Sequence, residues 1–313
     1  MLDNPHLWLF LVGMVSTVAA IRIFIDNYVV DVVFRKTRPE AIRIAGVFSF
    51  ALLLLVLLIV APPTSLPIMI VLALMGAGLV DAIGSPAYSH ALKYEEATSI
   101  AVLKQLHPII ALGLGWLLLG DGIGWVSVLA FMLIFAAASL IVMSKGKRQK
   151  AIGMKAVKYI TFAVTFWALS DIIFIALTRQ VEMPFMTAFF WWSVGRWIGD
   201  IGLMLVFKSW RTRFMSAFRN NRTRFLVSVS ASEFLRTVGN LVWRQATVLA
   251  PVLAVAVVTE RTAQLLLIFG LGLALSTIWP KFGRENMRPR VVLVHLVAVA
   301  LAAGGVALLQ LGV

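Results

Sequence analysis

Long apolar runs fill most of the chain, separated by short polar or proline-containing breaks. Ala51 to Val60 has no polar side chain at all, and Val126 to Met143 carries no charge. A helix needs about 20 mainly apolar residues to cross roughly 30 Å of hydrocarbon. Ten segments meet that length, at approximately 7–33, 40–60, 66–90, 96–119, 124–144, 156–178, 184–207, 224–243, 247–278 and 290–311. The ninth is long enough to hold a break or an additional interfacial turn. The first does not read as a cleaved signal peptide, because it has no basic n-region and carries Arg22, Asp26 and Asp31 inside it. No soluble domain is expected at either end.

Composition agrees with the pattern. Of 313 residues 61% are apolar, and 13% are charged. The charged share is about half that of soluble domains, too little to cover the surface of a soluble two-domain protein, and the apolar content excludes a disordered chain. The absence of cysteine removes disulfides, thiolate metal sites and Cys nucleophiles. The histidines (His6, His90, His107, His295) are too scattered for a metal motif, so no metal and no cofactor is expected.

The formal charge of +14 sorts by position. Connection 1–2 holds Arg35, Lys36, Arg38 and Arg43, and connection 3–4 holds Lys93. Connection 5–6 has Lys145, Lys147, Arg148, Lys150, Lys155 and Lys158, and connection 7–8 has Lys208, Arg211, Arg213, Arg219, Arg222 and Arg224. Connection 9–10 adds Lys281, Arg284, Arg288 and Arg290, which makes 21 in all. The intervening connections and both termini hold only Arg179 and Arg244. Basic residues mark cytoplasmic loops, so this alternation predicts both termini outside, in a bacterial inner membrane. The stretch Lys208 to Arg224 interleaves its basic residues with Trp210, Phe214 and Phe218, a pattern also seen in nucleic-acid patches. Orientation already explains its charge, so the reading is an amphipathic segment on anionic lipid headgroups with its rings at the interface, and no nucleic acid.

Ten spans divide into five plus five around a basic linker at 146–155, giving repeats at 1–145 and 156–313. Ala97 to Pro108 and Ala250 to Arg261 open related helices in the two halves. Because five is odd, the halves would be inverted, the architecture of many secondary transporters, with a binding site near the midplane. The first half also resembles a known family. Ala91-Leu92-Lys93-Tyr94, then Ala97-Thr98-Ser99, Gln105-Leu106-His107-Pro108 and Gly115 to Asp121 look like the EamA domain of the drug/metabolite transporter superfamily. Asp121 stands where that family usually has Glu. The resemblance implies a ten-helix transporter, all-α and polytopic, with a central cavity open to one side at a time. It transfers no binding residue and no substrate class. Family members generally keep both termini in the cytoplasm, whereas the loop charges here place them outside.

Ionisable groups inside membrane helices cost several kcal/mol, on the order of 3 or more, unless paired or facing water. They are nearly balanced here. Arg22–Asp26 and Arg196–Asp200 are four apart and share a helix face, and Glu233–Arg236 are three apart, with Asn240 about one turn further on. These pairs suit either structural neutralisation or gating by exchange of partners. Lys104, His107, Asp81, Asp171, Glu260 and Arg261 have no partner within their own helix. Lys104 and His107 precede Pro108, and Glu260-Arg261 takes the corresponding place in the second half. Lys104, His107, Arg236, Asn240, Glu260 and Arg261 are therefore the candidate substrate-binding residues. Asp81, Glu233, Arg22, Asp26, Arg196 and Asp200 are the candidates for coupling or gating. Tyr88, Trp167, Trp191, Trp192 and Trp197 could line a cavity wall.

The reading that results is a secondary active transporter of a small anionic or zwitterionic metabolite, proton-coupled or exchanging, monomeric or homodimeric. The alternatives are an exporter of cationic drugs, a flippase of a lipid-linked phosphate or sugar, and an integral membrane enzyme. The last lacks support, since no phosphate loop, HExxH or nucleophile elbow occurs.

Overall fold

A computed structural model describes residues 7–95, 100–101, 103–120, 124–144, 154–181, 183–220, 222–250 and 253–278, with 293–294, 296–298, 300–301, 304–305 and 307–308. Helix α1 (Leu7–Tyr28) runs on into one π-helical turn, Val29–Val33, and a 3-10 turn at Pro39–Ile42 leads into α2 (Arg43–Val60). Then follow α3 (Ile68–Ala91), α4 (Leu106–Leu119), α5 (Trp125–Ser144), α6 (Met154–Gln180) and α7 (Phe185–Val206). A short α8 (Lys208–Asn220) precedes α9 (Arg222–Leu249) and α10 (Leu253–Ile278). The described residues between 293 and 308 are all helical. The protein is an all-α polytopic fold. Of the sequence features above, Ala97 to Ser99, Asp121, Lys145 to Lys150 and Lys281 to Arg290 lie outside the described residues.

Breakers set the helix ends. Pro67 and Pro184 stand just before the first turns of α3 and α7 with extended ψ of 136° and 129°, and Gly120 closes α4 in the left-handed region at φ 71°. One boundary differs from the sequence reading. The eighth span does not stop at residue 243 but continues to Leu249, and the ninth begins at Leu253. Trp243-Arg244 reads as a polar stop in the sequence, yet Arg244 is 2% exposed and satisfied by α6, so the helix runs through it. The extra length expected in the ninth span belongs to the eighth. The far end of the proposed linker, Met154 and Lys155, is likewise already helical.

The polarity of the bundle is that of a membrane protein. Phe48, Leu52 and Ile59 face outward at 65%, 65% and 82% exposure, while Asp26, Arg196 and Asp200 are each 1% exposed inside. A water-soluble domain places these classes the other way round. Five helices among the described residues are long and apolar enough to span by composition alone. Helices α7 and α9 are 22 and 28 residues long but carry Arg196, Asp200, Glu233, Arg236 and Arg244, charges that neighbouring helices neutralise.

Helix α3 packs on α6 and α7, α1 on α9 and α10, α4 on α6 and α10, and α2 on α7 and α9. The closest approach is between Gly78 of α3 and Gly195 of α7. A Cβ on Gly195 would overlap the backbone of Met75, and one on Gly78 the carbonyl of Trp192. Other helical glycines make no such contact: nothing lies within 4 Å of a Cβ built at Gly113 or Gly270.

Helix α8 lies beside the start of α2. Its rings, which the sequence suggests for the lipid interface, make contacts with protein. Trp210 is buried, and with Phe214 and Phe218 it packs against Phe34, Ile42 and Phe225. Arg213 donates to the carbonyls of Phe34 and Thr37, holding a turn where Arg35, Lys36 and Arg38 all have positive φ. The aromatic face is used on protein, because this turn would otherwise leave an apolar gap between α1 and α2.

Candidate functional site

Among the described residues the bundle forms a partly open cavity, about 840 Å³ of atom-free space including the part that meets solvent, walled by α1, α3, α4, α6, α7, α9 and α10. All six candidate substrate-binding residues line it: Lys104, His107, Arg236, Asn240, Glu260 and Arg261. Arg22, Asp81 and Arg196 of the gating set also line it, while Asp26 and Asp200 are the partners of Arg22 and Arg196, and Glu233 is the partner of Arg236. Of the aromatic candidates, Tyr88 and Trp167 reach the wall. Trp191, Trp192 and Trp197 do not; they pack between α2, α3 and α7.

Backbone geometry places the first cluster. Pro108 has no N–H to offer the carbonyl of Lys104, which instead accepts from His107 N at 3.0 Å. Lys104 and Gln105 therefore form a break in the fourth span before α4 begins. The break turns their side chains towards α10. Lys104 Nζ donates to Gln264 Oε1 at 3.2 Å, and Gln105 Nε2 donates to the carbonyl of Arg261 at 3.0 Å. Arg261 donates to Gln264 Oε1 at 3.0 Å, approaches His107 Nδ1 at 3.1 Å and pairs with Glu260 at 3.0 Å. Ser16 of α1 reaches the Glu260 carbonyl at 3.1 Å.

On the opposite wall the charges form a ladder. Arg196 binds Asp81 and Ser85 of α3, the latter at 2.8 Å, and Asp200 one turn along its own helix at 3.4 Å. Arg236 binds Glu233 and lies 3.8 Å from Asp200. Ser49 of α2 donates to Glu233 at 3.0 Å. Both guanidinium groups stack near the Phe50 ring, at 5.7 and 5.0 Å. A third group joins α1, α3 and α9: Asp26 accepts from Tyr88 at 3.3 Å and from Ser232, and pairs with Arg22 at 3.2 Å.

Sequence reasoning passed over Asp171 and Arg244 as site residues. Both line the cavity, 2.9 Å apart, with Trp243 donating to Asp171 at 3.1 Å and His107 at 3.8 Å from it. Arg244 also donates to Ser170 Oγ at 2.8 Å and sits 4.4 Å over the Trp192 ring. The signal was available: Arg236, Asn240, Trp243 and Arg244 follow an i, i+4, i+7, i+8 stripe, a single helix face. Counting the lining, six cationic side chains face three carboxylates, Asp81, Asp171 and Glu260. Each of the three already holds an arginine. Lys104 does not have a carboxylate within 4 Å among the described residues, although it is 7% exposed. Among the described residues no His, Asp and Glu side chains group as metal ligands.

The cavity is polar and cation-rich, and lies inside an all-helical membrane bundle. The sequence comparisons give the family. Residues 7–143 match the EamA-like transporter family. That match covers the first half of the chain, which is thus an EamA-like transporter domain. A crystal structure described only as "Crystal structure of protein" is similar in fold, with a TM-score of 0.54 and 12% identity over 95% of this chain and 96% of that one. None of the curated proteins compared matches the chain.

Proposed function

We propose that the chain is a secondary active transporter, not an enzyme, that moves a small anionic or zwitterionic organic metabolite across the bacterial inner membrane by alternating access. The observation that carries this reading is Lys104, a buried ammonium whose contacts are the neutral Gln264 and, at 5.8 Å, the ring of Tyr88. Removing a cation from water without an opposite charge is costly, and an anionic substrate supplies the missing charge. The two-to-one excess of cations in the lining points the same way. Export of a cationic drug is the poorer fit, since each lining carboxylate is already held by an arginine.

Two inverted five-helix repeats suit the packing. Exchanging α1, α2, α3 and α4 with α6, α7, α9 and α10 turns the α1–α9 contact into α6–α3, and α1–α10 into α6–α4, both of which occur. Under this reading the substrate drawn to Lys104 competes for Arg261 or Arg236, and the carboxylate so released takes a proton or a counter-substrate. Both termini lie outside, with the basic connections and α8 on the cytoplasmic side. There the outward-facing Lys208, Arg211 and Arg219 meet anionic lipid headgroups.

The test is uptake or exchange of organic anions in proteoliposomes. Lys104→Gln lowers anion flux at least tenfold and Lys104→Arg retains most of it. Anion flux unchanged in Lys104→Gln, or flux of cations alone, would overturn the reading. Reporter fusions at either terminus check orientation independently.

A further inference from the structure

The geometry points to an amphiphilic organic anion as the substrate class: one carboxylate-like head on a compact aromatic or apolar body. This rests on the anion reading above and narrows it. The head group is placed by two cations at one end of the cavity. Lys104 lacks a carboxylate, and Arg22 is the most accessible cavity arginine, its side chain 21% exposed against 10% or less for Arg196, Arg236, Arg244 and Arg261. Arg22 approaches Asp26 through Nε alone, as an ion pair, and no hydrogen-bond partner for it occurs among the described residues. A carboxylate between these two side chains gains charge-assisted bonds from both.

The body is placed by what adjoins them. The Tyr88 ring lies beneath Lys104 and is locked by its hydroxyl bond to Asp26, and Trp167 tilts against it at 5.6 Å between centroids. From there Val15, Val18 and Ala19 carry the wall along α1, with Val18 close to Gly239 of α9, where a Cβ would meet it at 3.4 Å. Val15 to Arg22 spans about 10 Å at helical rise. This strip has no charged side chain of its own. A compact dianion or inorganic phosphate would leave it wet and unused, whereas an aromatic body buries it. Of the other four cavity cations, Arg196 and Arg244 are saturated by carboxylate and serine oxygens, Arg261 is held by Glu260 and Gln264, and Arg236 binds Glu233 through one nitrogen.

The experiment uses the full chain in lipid nanodiscs, titrated with 3-phenylpropanoate, its neutral amide, acetate, succinate and inorganic phosphate by calorimetry. Phenylpropanoate should bind about tenfold or more tightly than acetate, from burial of its ring, and about tenfold more tightly than the amide, from its charge. Trp167→Ala should narrow the gap to acetate, and Lys104→Gln the gap to the amide. Lys104→Arg, which keeps the cation, should bind like the wild type and shows that the site is folded. Succinate or phosphate binding as tightly as phenylpropanoate overturns the amphiphilic class and leaves anion transport standing. Binding of the neutral amide as tight as that of phenylpropanoate, with Lys104→Gln without effect, overturns both.

Discussion

Around Arg196 every charge meets an opposite charge, whereas around Lys104 the partners are an amide and an aromatic ring. Both regions border the same cavity and are equally buried, so burial does not separate them. What separates them is pairing: each charge of the ladder has an opposite charge within 4 Å. The ladder of Asp81, Arg196, Asp200, Arg236 and Glu233 ties α3, α7 and α9 together with its charges answered internally. On the Lys104 side, no carboxylate among the described residues comes within 4 Å of the lysine, whose nearest partners are an amide and a ring. A closed set of charges holds helices; an open one is a place for a ligand.

That contrast can be broken by substitution. The largest effect is expected at Arg196→Leu, which strands Asp81 and Asp200 in the bundle and should cost about 3–5 kcal/mol. Unfolding in mixed micelles would measure it, and a variant as stable as the parent would show that the ladder does not hold α3 to α7. Next comes Gly195→Val, where the new side chain meets the Met75 backbone, which cannot rotate away. About 1–3 kcal/mol is expected from such overpacking, read as a lower melting temperature; a neutral result would mean that the α3–α7 contact gives more readily than its geometry implies. Tyr88→Phe removes one of the bonds to Asp26, which keeps Ser232 and Arg22, so the loss should be about 1 kcal/mol. The smallest effect on folding belongs to Lys104→Gln. The uncompensated ammonium leaves with its desolvation cost, so stability should stay within about 1 kcal/mol of the parent or rise. A large loss there would place Lys104 with the ladder rather than with the ligand.

Much of the site was legible from types and spacings. Arg22–Asp26, Arg196–Asp200 and Glu233–Arg236 pair within their helices at the distances helical geometry allows. Lys104 and His107 stood out because nothing nearby in sequence could neutralise them, and the structure sets His107 against Arg261 from 154 residues away. Arg244 was missed because a charge near an expected span end looks like a loop charge. Its partner Asp171 lies on another helix, and no local pattern links the two. The rings of α8 were misplaced for a related reason. Trp210, Phe214 and Phe218 have the spacing of an interfacial face, and only the turn at Arg35 to Arg38 decides that they cover protein instead.

The sequence by itself determined that this chain lies in a membrane and roughly where each helix begins and ends. Both follow from local quantities, apolar run length and the distribution of breakers, that need no knowledge of neighbours. It also determined which side chains are too costly to leave unanswered in hydrocarbon. Only the tertiary structure decided which of those answer one another, because ion pairs between helices form across distances along the chain that no periodicity encodes. Lys104 is conspicuous in the sequence as a charge inside a span. That its partners are Gln264 of α10 and the ring of Tyr88 of α3, with no carboxylate within 4 Å among the described residues, depends on how these helices pack against it.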